Sequence, residues 1–269
     1  MHAFHYHRPA SSKDAVSLSS KNAEARYLAG GQSLVQAMKL RLSSPSDLID
    51  LGTIKELSGI KVAGSTVEIG AMTRHADVAA SAEVKKAIPA LAALAGMIGD
   101  RQVRHMGTIG GALANNDPAA DYPAAALGLG ATITTNKRKI EADKFFTGLY
   151  ETALEPGELI TSVSFPAPKR AAYMKFKNPA SRFAIVGVFV ADFGTSGKNA
   201  VRVGVTGAGP CAFRQADMEK ALSAKFAPES VASMKVKADN LNNDLHASPE
   251  YRAHLITVMA KRAVEAALK

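Results

Sequence analysis

The sequence predicts an α+β protein, and three observations carry that reading. Up to about Ile140, short strand-like runs alternate with alanine-rich helical ones. From Leu159 a block of strands comes first, and a block of helices follows it after Pro210. The Gly-x-Gly-x-x-Gly fingerprint that would follow the opening strand of a parallel dinucleotide-binding fold is missing. With 269 residues, the chain can form one large domain or two of ordinary size.

Asp14 to Arg26 is polar and helix-prone, and Gln32 to Lys39 has the pattern of a short helix. Leu48 to Leu51 reads as a strand. Gly59 to Ala63 and Thr66 to Gly70 alternate apolar and polar residues across Gly64-Ser65, which signals a hairpin. Thr73 stands where a helix cap would, ahead of a helical stretch running to about Lys86. Pro89 then opens a small-residue helix, Ala90 to Ile98, expected to be buried on most sides. Beyond Leu159, the segments Leu159 to Phe165, Ala172 to Lys177, Phe183 to Phe193 and Ala200 to Ala208 read as successive strands, with a turn cluster at Thr195-Ser-Gly-Lys-Asn. Two or three helices end the chain, the last from Pro249 to Leu268. Phe165-Pro-Ala-Pro-Lys is the best domain boundary, giving 1–168 and 169–269.

Composition narrows the function classes. With 47% hydrophobic and 21% charged residues, the chain is that of a soluble globular protein. Met1 to Ala10 lacks the apolar core of a signal peptide, and Ala87 to Gly99 is too short to span a bilayer, so a cytoplasmic location is expected. One cysteine, Cys211, excludes an internal disulfide and any iron–sulfur cluster held by this chain alone. It reads as a buried small residue, not a nucleophile. The net charge of +9 comes from scattered residues, and aromatics are only 6%, so a solvated basic surface is favoured over nucleic-acid binding. His75 and His105 lack metal-ligand spacing, and no Ser–His–Asp arrangement stands out. No metal site and no catalytic side chain is expected.

Two Gly-Gly motifs carry the chemistry: Ala29-Gly30-Gly31-Gln32-Ser33-Leu34 and Thr108-Ile109-Gly110-Gly111-Ala112-Leu113. Glycine permits positive φ and close backbone approach, and successive N–H groups in such a turn make a concave nest for an anion. Taken alone, either motif reads first as a structural turn. Together they could hold the two halves of a diphosphate, as a dinucleotide cofactor requires. The first leads into a helix whose orphan N–H groups add to the turn, with Gln32 and Ser33 as side-chain donors. The second has Thr108, and Asn115-Asn116-Asp117-Pro118 follows it. Asp121 suits a helix cap ahead of Pro123, and its carboxylate could equally accept bonds from a polyol chain; both roles can coexist. Lys39 and Arg41 read as a solvated face before phosphate ligands.

Ala29-Gly-Gly-Gln-Ser-Leu, Met38-Lys-Leu-Arg-Leu and Leu48-Ile-Asp-Leu resemble the FAD-binding medium subunit of molybdenum hydroxylases, the carbon monoxide dehydrogenase and xanthine dehydrogenase type. Val103-Arg-His-Met-Gly-Thr-Ile-Gly-Gly and Asn115-Asn-Asp-Pro-Ala-Ala-Asp-Tyr-Pro are similar to its second motif. Tyr173-Met-Lys-Phe and Ser181-Arg-Phe-Ala-Ile-Val-Gly-Val are similar to its C-terminal signature. The motifs run in order along essentially the whole chain. The resemblance implies a PCMH-type FAD domain of two α+β lobes and a smaller C-terminal domain of antiparallel strands and helices. It implies non-covalent FAD with Ala29, Gly30, Gly31, Gln32, Ser33 and Leu34 on one side of the diphosphate. Thr108, Ile109, Gly110 and Gly111 would lie on the other, with Asn115 and Asp117 nearby, Asp121 on the ribityl chain and Lys175 near the flavin. The family often has Asn or Ser where this chain has Ala112, which leaves only a backbone N–H there. The implied role is electron transfer. A small subunit with [2Fe–2S] clusters would pass electrons to FAD, and a large molybdopterin subunit would hydroxylate substrate, in a heterotrimer or its dimer. Two other readings stay open: a self-contained flavoenzyme of the same fold, such as a UDP-N-acetylenolpyruvoylglucosamine reductase, and an assembly module that has lost FAD.

Overall fold

The structure is a computed structural model, and it describes every residue except Thr195, Ser196, Lys198 and Asn199. The expected turn cluster at 195–199 therefore lies, Gly197 apart, outside the described residues.

The first lobe holds β1 (His5–His7), α1 (Ser12–Ser19), β2 (Arg26–Leu28), α2 (Leu34–Lys39) and β3 (Asp47–Asp50). Its sheet has the order β1-β3-β2 and both pairings are parallel. The expected helix over 14–26 is shorter than its polar composition suggested: Ser11 caps α1 by accepting from the Asp14 N–H, and Arg26 belongs to β2. Ala15, Ile49, Leu51, Ile54 and Leu57 form this lobe's small core together with Leu159 from far along the chain.

The second lobe begins with the predicted hairpin, β4 (Ile60–Ala63) and β5 (Thr66–Gly70). Six helices follow: α3 (His75–Ala80), α4 (Ala82–Ala87), α5 (Pro89–Gly96), α6 (Arg101–Met106), α7 (Ile109–Asn115) and α8 (Tyr122–Leu129). The strands β6 (Thr132–Thr135), β7 (Lys139–Glu141), β8 (Phe146–Gly148), β9 (Glu151–Thr152) and β10 (Ile160–Pro166) complete it. Its antiparallel sheet runs β4-β5-β10-β6-β7. Thr73 does not cap α3. Its hydroxyl instead exchanges hydrogen bonds with the Gly59 backbone, tying the hairpin to the helices. Ser81 breaks the stretch to Lys86 into two helices and caps the second through the Val84 N–H. α5 buries Ala90, Leu91, Ala92, Leu94 and Ala95, as its composition predicts.

The C-terminal part comprises β11 (Arg170–Lys177), β12 (Ala184–Asp192), β13 (Val201–Thr206), β14 (Phe213–Arg214), α9 (Ala216–Ala224), α10 (Glu229–Ala232) and α11 (Pro249–Ala267). Its four strands lie antiparallel in sequence order. Every residue of β12 is buried because helices cover both faces of this sheet. Val186, Val188 and Val190 pack toward α11, while Phe189 and Ala191 join the core that contains α8. Two glycines let α8 approach that closely: a Cβ on Gly204 would sit 2.2 Å from the Ala124 carbonyl, and one on Gly128 would sit 2.8 Å from the Phe189 ring. α8 is thus buried all round and fixes the sheet of the C-terminal part against the second lobe.

Candidate functional site

A cavity of about 440 Å³ runs between the first lobe, the second lobe and the loop joining β11 to β12. Of the fourteen residues expected at a site, twelve line it: Ala29 to Leu34, Thr108, Gly110, Gly111, Asn115, Asp117 and Asp121. Ile109 does not, because its side chain turns into the core, where it is fully buried. Lys175 does not line it either. It stands directly behind the wall, donating to the Asp121 carboxylate at 2.9 Å and to the Met97 carbonyl at 3.3 Å.

The two Gly-Gly turns meet. A Cβ on Gly30 would fall 2.0 Å from the Met106 carbonyl oxygen and 2.7 Å from the Gly107 Cα, so only glycine allows this approach. Gly111 faces Ala29 across the same seam. The turns differ in how they spend their N–H groups. Between Gly30 and Leu34 the backbone makes no N–H bond to any described residue, although Gly31 and Ser33 lend their carbonyls to α2. Ser33 occupies the cap position of α2 without a side-chain capping bond. Gly31 holds φ at +70°, and a Cβ there would also meet Val35 at 2.9 Å. This row of open donors at the cavity wall is an anion-binding arrangement.

The second turn has no such row. The Ile109 N–H donates to the Thr73 carbonyl, Gly110 to Ala71, Gly111 to the Thr108 hydroxyl and Ala112 to the Thr108 carbonyl. Thr108 is a side-chain cap of α7, and its turn is stitched to the segment after β5. Donors from both turns were expected, and the N–H groups of the second, from Ile109 to Ala112, are engaged within the protein. Gly111 also lacks the positive φ that Gly31 shows.

Asp121 departs from its expected role as a helix cap. It sits at the cap position of α8 but makes no capping bond. One carboxylate oxygen accepts from the Tyr173 hydroxyl at 2.5 Å and the other from Lys175. Burial pushes this carboxyl above its ordinary range, against the pull of the Lys175 charge and the Tyr173 bond. The triad joins α8 to β11 at the cavity edge, and carboxylate oxygens can still accept a further bond. Asp117 is held by the Ala119 N–H at 2.8 Å, and Asn116 with φ at +42° ends α7 and binds the Gly148 and Glu151 carbonyls.

Several lining residues gave no sequence signal. Arg26 and Tyr27 come from β2, and Leu154 and Glu158 to Ile160 from the approach to β10. Glu158 is buried. Burial alone would raise its carboxyl, but hydrogen bonds from Arg138, the Glu155 N–H and Thr135, with the Arg138 charge, hold it at about 2. At the other end stand Ile98, Gly99 and Val103, facing Ser181, Arg182 and Phe183. His75, 5% exposed, lies beneath the second turn with its Nδ1 unpartnered among the described residues. Burial, and then the charge of Arg104, lowers its pKa to about 4, so the ring is neutral. The Pro156-Gly157 turn before Glu158 was the one usable hint of that wall. Cys211 is half-buried, and burial raises its thiol, which leaves it a poor nucleophile. Among the described residues there is no metal-ligand cluster and no helix long and apolar enough to cross a membrane.

Residues 2–168 match the FAD binding domain in molybdopterin dehydrogenase, and residues 171–267 match the CO dehydrogenase flavoprotein C-terminal domain. The carbon monoxide dehydrogenase medium chain of Hydrogenophaga pseudoflava is 36% identical over 98% of this chain and 96% of its own. The nicotine 6-hydroxylase medium subunit of Paenarthrobacter nicotinovorans is 35% identical over 97% and 96%. A solved Hydrogenophaga pseudoflava carbon monoxide dehydrogenase, lacking the Mo-pyranopterin moiety of its molybdenum cofactor, superposes with a TM-score of 0.90 at 36% identity over 99% of this chain and 98% of the other. The chain belongs to the FAD-binding medium subunits of molybdenum hydroxylases, of the carbon monoxide dehydrogenase type.

Proposed function

We propose that this medium subunit holds one FAD non-covalently in the cavity between its lobes and relays electrons from a partner's [2Fe–2S] clusters to an external acceptor. In this reading a small iron–sulfur subunit and a large molybdopterin subunit complete a heterotrimer or its dimer, and residues 1–168 and 169–269 act as two domains. The single observation that carries it is the row of N–H groups from Gly30 to Leu34 on the cavity wall, which have no partner among the described residues. A diphosphate is the ligand such a row fits, and the residues present suit the group.

FAD supplies the redox chemistry when bound, so the protein's part is binding, orientation and electrostatics. Gly30, Gly31, Gln32 and Ser33 would donate to its diphosphate. Thr108, Gly110 and Gly111 shape the facing wall, and Asn115 and Asp117 line the path beyond it. Asp121, held in place by Tyr173 and Lys175, would accept from the ribityl chain. Lys175, expected near the flavin, reaches the Met97 carbonyl, so the flavin would lie toward the end bounded by Ile98, Gly99 and residues 181–183. No side chain is assigned an acid or base role.

Heat or acid denaturation of the purified protein tests this. A yellow cofactor that leaves the polypeptide and chromatographs as FAD is expected. Flavin that stays on the denatured chain contradicts the non-covalent reading, and a colourless protein from its native source contradicts the cofactor itself. The chain should also purify with two other subunits, one containing iron and one molybdenum, and should hydroxylate nothing without them.

A further inference from the structure

Two arginines from different parts of the chain converge on one neutral oxygen, the carbonyl of Gly99, at the end of the cavity that Arg182 lines. Arg104 in α6 donates from Nη1 to the carbonyls of Ile98 at 2.9 Å and Gly99 at 3.3 Å. Arg182, in the loop between β11 and β12, donates from its own Nη1 to the same Gly99 carbonyl at 3.5 Å. Neither guanidinium has a carboxylate within salt-bridge distance among the described residues. Arg138, Arg170, Arg202, Arg214 and Arg252 are all paired with acids. The nearest acid in sequence, Asp100, spends one oxygen capping α6 through the Val103 N–H.

The loop is built to hold Arg182 there. Its backbone sits at φ +63°, a left-handed conformation that is strained for a non-glycine residue. Buried Asn178 enforces it: its Oδ1 accepts from the Ala180 and Ser181 N–H groups and its carbonyl accepts from the Arg182 N–H. The Nε and Nη2 groups of both arginines have no acceptor among the described residues. Two like charges sharing one carbonyl repel, and an anion between them would relieve that repulsion. A carboxylate meets one guanidinium fork with its two oxygens and carries a single charge. A phosphoryl group has enough oxygens for two.

We propose that Arg104 and Arg182 form a phosphate clamp at the cavity mouth that receives a phosphoryl-bearing small-molecule electron acceptor. This rests on the FAD reading above, because FAD in the cavity makes this mouth the face an acceptor must reach. The clamp gives such an acceptor an advantage that a neutral quinone or dioxygen does not share.

The FAD-loaded full chain is titrated with inorganic pyrophosphate, followed by calorimetry and by the flavin absorbance. Saturable binding is expected, weakened at least tenfold by R182A. R182G should do the same while relieving the strained φ, which removes a folding defect as an explanation. R182K keeps the charge but not the fork and should fall between. A water-soluble quinone should bind the wild type and R182G alike. Absence of saturable pyrophosphate binding, or equal affinity in R182G and wild type, overturns the clamp. Loss of FAD from R182G overturns it too, by assigning the arginine to the cofactor's own phosphates. Failure of the FAD reading is separate, since it shows as a chain without flavin before any titration begins.

Discussion

The two Gly-Gly turns share a motif and a cavity wall, yet they are built for different work. The first, Gly30 to Leu34, leaves its N–H groups without a partner among the described residues and needs a left-handed residue at Gly31. The second, Thr108 to Ala112, engages every N–H from Ile109 onward and is capped by its own threonine. Donors that no protein group engages are free to meet an anion, so the first turn is the one that gains most from it. The second acts as a brace. It offers a glycine surface flat enough for the first turn to close on. Similar sequence motifs can therefore divide one task into donation and shape.

The largest effect should come from breaking the donor turn. In Gly31→Val the side chain meets Val35 and cannot adopt φ of +70° without strain. FAD affinity should fall by roughly 3–4 kcal/mol, through strain and lost charge-assisted hydrogen bonds. Flavin content after gel filtration, beside a folded circular dichroism spectrum, checks this. A Gly31→Val protein with full flavin would remove this turn from the site.

The brace is sharpened by pH. The His75 ring supports Gly107, where a Cβ would sit 2.6 Å from Nε2. Its folded pKa of about 4 lies below the unfolded value of 6.5. A depressed pKa means the unfolded chain takes up the proton first. The stability is therefore complete above pH 6.5 and is lost as pH falls through 4, by roughly 3 kcal/mol in all. Urea unfolding across that window should show the decline in the wild type and a flatter profile in His75→Gln. Identical profiles would contradict a neutral, buried ring.

The smallest effect should come from Thr108→Val. It removes the cap of α7 and should cost about 1 kcal/mol of stability. FAD affinity should change less than in Gly31→Val, because the hydroxyl serves the brace and not the cofactor. A larger loss of flavin than of stability would reverse the division of labour.

Much of this arrangement was legible in the residues. The β-rich block, the hairpin at Gly64-Ser65 and the buried α5 follow from periodicity and turn chemistry. Both glycine motifs announced the cavity. What local pattern could not show was competition from afar. Thr73 was drawn from helix capping to the Gly59 backbone. Asp121 was drawn from capping to Tyr173 and Lys175, more than fifty residues away. Ile109 sits inside a site motif but on the core side of a helical turn, so its neighbours line the cavity and it does not. The strands β1 and β2, three residues each, are too short to alternate visibly, so the parallel sheet they form with β3 was unforeseen. Leu159 and Glu158 reach the wall only because β10 pairs with β5 and β6.

Amide hydrogen exchange of the FAD-free and FAD-loaded protein tests the division between the turns most directly. Exchange at Gly30 to Leu34 should be fast without FAD and strongly slowed with it, while Ile109 to Ala112 should be protected in both. Protection that appears on FAD binding at Ile109 to Ala112, with Gly30 to Leu34 unchanged, would contradict the account.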